Sequence, residues 1–214
     1  WPYFPVNRQL IAYPLAGAIV NCVVGDMILS LRLVSMLCGI GLIGAVFAVA
    51  RELIDREDVA LLSAGLVAFH PEFARASAAV YREVPMAFLL TVAVLFFLWS
   101  LREEDRYWAG WATAAGAVFF LSFMTRPDGL AAATALGLVC LLGFRGLSWQ
   151  RRALICLLMG AVFIALEIPY VSWIKHKTGY WMINQWQIQN KLRPPESARQ
   201  HLLPPEENSP DVGR

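Results

Sequence analysis

The sequence predicts an all-α fold, a polytopic bundle of about six to seven membrane segments. Three observations point there. Hydrophobic residues make up 58% of the 214 positions and charged residues 16%, with a mean hydropathy of +0.53; soluble domains run near 45–50% and about 25%. The charges collect in short breaks between long apolar runs. Tryptophans stand at run ends, as in the aromatic belts of membrane interfaces.

Taken in order, Trp1 to Gln9 is aromatic and interrupted by Pro2 and Pro5, which block a helix start. Leu10 to Val24 is apolar but short for a span, which needs about 20 residues; the reading favours a helix lying at the interface. Gly25-Asp26 breaks the chain, and Arg32 to Ala50 is the first full span, with Ser35, Gly39, Gly41, Gly44, Ala45 and Ala48 at close-packing intervals. Arg51 to Asp58 reads as a charged loop. Val59 to Phe69 is too short to cross alone and crosses only if the helix continues past His70-Pro71 into Ala74–Val80, or if the bundle thins the membrane there; a broken span of this kind favours a polar cavity for the stretch that follows. Then come Val84 to Leu101, a charged turn at Arg102–Arg106, Tyr107 to Met124, the break Thr125–Gly129, Leu130 to Phe144, a basic loop Arg145–Arg152 and the last span, Ala153 to Ile174. Residues 1–174 form one membrane domain. Residues 175–214 form a polar outer-side tail, partly disordered, in which two Pro-Pro pairs oppose regular structure.

Loops 51–58, 102–106 and 145–152 alternate with loops 71–83 and 125–129. The first set carries Arg51, Arg56, Arg102, Arg106, Arg145, Arg151 and Arg152; the second carries Arg75, Arg82 and Arg126. The excess of arginine makes the first set cytoplasmic, so both polar breaks and the tail emerge on the opposite face of a cell or inner membrane. A net charge of +2 without a basic aromatic patch excludes nucleic acid as a partner. The four cysteines show no metal-ligand or disulfide spacing and read as small buried apolar residues. No metal site, Walker loop or nucleophile motif occurs.

The stretch His70–Pro85 draws attention because it holds Glu72, Arg75, Arg82 and Glu83 between two apolar runs. Hydrocarbon cannot solvate such a cluster, so it occupies a surface loop or a polar cavity. Glu83 precedes Pro85 in the first turn of a helix, where the dipole favours a carboxylate. It is either a cap or partner of Arg82, or a group that orients a polar substrate. Arg126 closes a span, where a cation is also dipole-favoured; alternatively its planar guanidinium holds a phosphate. His70 reads first as a helix-end residue and second as an acid or base. Asp128-Gly129 is most simply a turn.

Four features together resemble membrane glycosyltransferases of the protein O-mannosyltransferase and aminoarabinose-transferase type. They are the entry Tyr3 to Leu15, Gly25-Asp26 followed by Leu31–Ser35, Phe69-His70-Pro71 leading to Tyr81–Pro85, and Thr125–Gly129. The resemblance implies a GT-C fold and a polyprenyl-phosphate-linked sugar as donor, with no separate cofactor. It implies transfer to an acceptor protein, lipid or glycan on the outer face of the membrane lipid bilayer. It would make Arg126 a donor-phosphate contact, with Arg82 and His70 also binding substrate, and Glu83 the second acidic, catalytic position facing the active cavity. The family's catalytic aspartate falls before the Pro-rich entry, so the chain is expected to be an N-terminally incomplete piece lacking it; Asp26 matches the Gly-Asp break instead. A transporter and a non-catalytic assembly subunit are the alternatives.

Overall fold

In a computed structural model, residues 12–102, 106–126, 128–143 and 147–178 are described, and every regular element among them is helical. The elements are α1 (Ala12–Val24), α2 (Met27–Ile54), α3 (Glu57–Ala68), α4 (Pro71–Ala78), α5 (Glu83–Ser100), α6 (Trp108–Thr125), α7 (Asp128–Gly143) and α8 (Trp149–Thr178). Four of them, α2, α5, α6 and α8, are long and apolar enough to cross a membrane. Of the other expected segments, α1 and α7 are shorter apolar helices, and α3 has 12 residues. The entry Trp1–Gln9 and the tail beyond Thr178 lie outside the described residues.

Local chemistry explains where the helix ends depart from the sequence reading. The first span is longer than Arg32–Ala50, because Asp26 caps α2 by accepting hydrogen bonds from the Ile28 and Leu29 amides at 2.8 and 3.0 Å. The expected charged loop 51–58 shrinks to two residues. Arg51 completes the last turn of α2, Asp55 adopts a left-handed conformation (φ 50°) with its amide on the Arg51 carbonyl, and Glu57 and Asp58 open α3. The basic loop before the last span shortens likewise, since α8 begins at Trp149 and includes Arg151 and Arg152. Nor does the helix continue through His70-Pro71: α3 stops, and Pro71 starts α4 at its first position.

Two ends of the bundle gather the polar groups. At one, Glu52 of α2 accepts from Arg102 after α5, with Nε at 2.8 Å, and Arg151 of α8 donates to the Arg102 carbonyl. At the other, Glu83 opens α5 and Arg126 follows α6. The loops that the arginine count grouped together therefore do share an end. Trp99 and Trp111 meet edge to face at 4.7 Å at the first end, where the aromatic-belt pattern placed them.

Between the ends, α6 packs on α5 and α8 around Ala93, Phe97, Ala112, Ala115, Phe119, Ile155 and Met159. Helices come this close because lipid supplies no hydrophobic drive between them, so small residues and dispersion carry the association. A Cβ on Gly116 would lie 2.6 Å from the Met159 carbonyl oxygen, and one on Gly41 would lie 2.6 Å from the Phe88 ring. Cys140 is fully buried as expected, whereas Cys22 is exposed on the surface of α1. Its sulfhydryl turns instead to the Ala18 carbonyl of its own helix.

Because the obstacle at Gly116 is backbone, Gly116→Ala should destabilise the protein by roughly 1–3 kcal/mol through overpacking. Gly110→Ala, where the added methyl meets nothing within 4 Å, should be neutral or slightly stabilising. Thermal unfolding in detergent separates the two.

Candidate functional site

The polar stretch becomes a short surface helix rather than the continuation of a span. In α4, Glu72 and Arg75 pair at 3.2 Å, both well exposed, and no residue of the helix is buried. His70 caps its start without a side-chain bond, and its ring meets Phe73 edge to face at 5.4 Å. The chain then turns through residues 79–82 into α5, whose Val84 and Pro85 are buried. Glu83, one residue earlier, stays at the surface.

The decisive contact joins the two polar breaks. Arg126 donates to Glu83 Oε1 at 2.8 Å across 43 residues of sequence, and its other terminal nitrogen lies 2.9 Å from Asp128. Asp128 is therefore more than a turn residue: it opens α7 and shares the guanidinium. Glu83 pairs with Arg126, not with its neighbour Arg82. Arg82 is half-buried, and among the described residues no carboxylate lies within ion-pair distance of it.

Beside this cluster a pocket of about 490 Å³ is lined by His70, Glu72, Arg75, Tyr81, Glu83 and Val84. The structure thus brings His70 and Glu83 to one cavity, with Arg126 bound to the Glu83 carboxylate. Arg75 and Tyr81 line the same space and were not singled out as site residues.

A buried link fixes the turn that carries Arg82 and Glu83. The Tyr13 phenol donates to the Leu31 carbonyl at 3.0 Å and sits 2.8 Å from the Ser35 hydroxyl, which reaches the Tyr81 carbonyl at 3.3 Å. Burial pushes the Tyr13 phenol above its usual range, with the Ser35 contact opposing, so it stays a neutral donor. Sequence reading missed this triad; a tyrosine and a serine in apolar runs were the available signal.

A family described as dolichyl-phosphate-mannose-protein mannosyltransferase matches residues 11–173. The chain belongs to this family. No curated protein and no solved structure matches it at a comparable level. As a member of the mannosyltransferase family with four helices suited to crossing a bilayer, it is an integral membrane protein. The family match spans His70, Arg82, Glu83 and Arg126 together.

Tyr13→Phe removes the hydrogen bond to Leu31 and should cost roughly 0.5–1.5 kcal/mol. The fall in melting temperature measures it; an unchanged value would show that the triad does not hold the turn.

Proposed function

We propose that this chain is the helical part of a membrane glycosyltransferase that moves a sugar from a polyprenyl-phosphate donor to an acceptor on the non-cytoplasmic face. The observation that carries the reading is the Glu83–Arg126 contact, which draws both polar breaks into one site, inside a region matched by a mannosyltransferase family. The family's name specifies a dolichyl-phosphate-mannose donor and a protein acceptor, and that donor and acceptor class is the one proposed here. The match favours transfer over transport. The face follows from the arginine count, which leaves Arg75, Arg82 and Arg126 on the sparser side.

The chemistry follows from charge. As the bond from the sugar's anomeric carbon to the phosphate oxygen breaks, negative charge grows on the lipid phosphate, and preorganised cations near the bilayer surface stabilise it. Arg82 offers a guanidinium with no carboxylate partner among the described residues. Arg126 already holds two carboxylates, so it meets phosphate by exchanging one of them. That exchange releases Glu83 toward the pocket, where its carboxylate accepts a hydrogen bond from a sugar or acceptor hydroxyl. His70 lines the same pocket and offers a further donor to the sugar. The acceptor hydroxyl gives its proton to a general base as it attacks the anomeric carbon.

Binding of a polyprenyl-phosphate sugar to the detergent-solubilised protein tests the phosphate roles. Arg82→Ala and Arg126→Ala should each weaken it about tenfold or more, the worth of a charged hydrogen bond. Unchanged affinity in either variant removes that residue from the phosphate site.

A further inference from the structure

A second cavity, of about 480 Å³, lies between α2 and α5 at the end of the bundle opposite Glu83 and Arg126. That is ligand size, and its lining changes character along the helices. Arg51, Glu52 and Asp55 follow Phe47 by four, five and eight residues, so all four share one face of α2. Leu95, Trp99 and Arg102 face them at intervals of four and three residues. Phe47 and Leu95 therefore form an apolar floor. Trp99 stands in the middle, and the charged side chains gather toward the helix ends. From Phe47 to Asp55 the lining rises about 12 Å, at 1.5 Å per residue.

The charged mouth opens at the level of the membrane surface. Leu53 and Ile54, on the other faces of the same helical turn, are 62% and 50% exposed, so hydrocarbon reaches the end of α2. Trp99 also belongs to the tryptophan pair that marks this end. Charges at such a boundary call for partners. Glu52 has one in Arg102, whose Nε donates to it at 2.8 Å. Arg56 is held by Asp58. Arg51 and Asp55 have no ion-pair partner among the described residues. The cavity thus presents one unpaired guanidinium and one unpaired carboxylate above an apolar floor.

We propose that this cavity holds one phospholipid with a zwitterionic headgroup, its phosphate on Arg51 and its ammonium on Asp55. A guanidinium suits a phosphate through paired, charge-assisted hydrogen bonds. The start of the acyl chains rests on Phe47 and Leu95, so the order of the lining matches the order of the lipid. Charge selects the headgroup: with Glu52 and Arg102 neutralising each other, one cation and one anion remain. An anionic lipid would satisfy Arg51 and leave Asp55 unmatched. The site stands apart from the Glu83–Arg126 cluster and does not rest on the glycosyltransferase reading.

Native mass spectrometry of the full chain in detergent tests it. The probes are palmitoyl-oleoyl phosphatidylethanolamine, the matching phosphatidylglycerol and chain-free glycerophosphoethanolamine. The ethanolamine lipid should bind about tenfold tighter than the glycerol lipid, the worth of one charged hydrogen bond. Asp55→Asn, which the left-handed backbone at this position accepts, should bring the two lipids to equal affinity. Arg51→Gln, at an exposed position, should weaken both about tenfold. The chain-free headgroup should bind at least tenfold more weakly than the lipid that carries it. Equal binding of the two lipids to the wild type overturns the proposal, as does a preference that survives Asp55→Asn or binding unaffected by Arg51→Gln. A chain-free headgroup that binds as tightly as its lipid removes the membrane as the source and overturns it too.

Discussion

Hydrocarbon cannot solvate charge, and the placement of almost every polar group here answers to that constraint. Backbone groups are satisfied inside helices. Most side-chain charge collects at the two ends, where much of it is neutralised between elements distant in sequence. At one end Glu52, Arg102 and Arg151 tie α2, α5 and α8 together. At the other, Glu83, Arg126 and Asp128 tie the starts of α5 and α7 to the end of α6. Exposed pairs of this kind are each worth only about 0–1 kcal/mol. They position groups more than they stabilise the fold.

Packing between the ends does the stabilising. The close approach of Gly116 to the Met159 backbone sets α6 and α8 side by side, and the Phe97, Phe119 and Ile155 side chains fill the interior. This packed middle sets the end of α6, and with it Arg126, beside the start of α5. On the far side of α2, the Tyr13–Ser35–Tyr81 link holds the turn that carries Arg82 and Glu83. The site is thus assembled from a firm scaffold and a short, exposed α4 that leaves a cavity open beside it.

Much of the fold was legible in the sequence because membrane helices announce themselves by length and polarity. The alternation of charged breaks gave the correct grouping of helix ends. Boundaries were less legible, since they turn on caps: Asp26 extends α2 at its start, and Asp55 in its left-handed conformation ends it at a point hydropathy alone does not mark. Glu83 and Arg126 were legible as suspects, but their pairing was not. The sequence offers Arg82 as the nearer cation, and only the antiparallel packing of α5 on α6 brings a residue 43 positions away into contact.

The claim at the centre is that the two polar breaks form one coupled site at the same end of the bundle. A double-mutant cycle on polyprenyl-phosphate binding, with Glu83→Gln, Arg126→Gln and the double variant, reads that coupling directly. Residues in contact give interaction free energies of roughly 0.5–3 kcal/mol, so the single effects should fail to add by that amount. Strict additivity of the two substitutions would contradict the account.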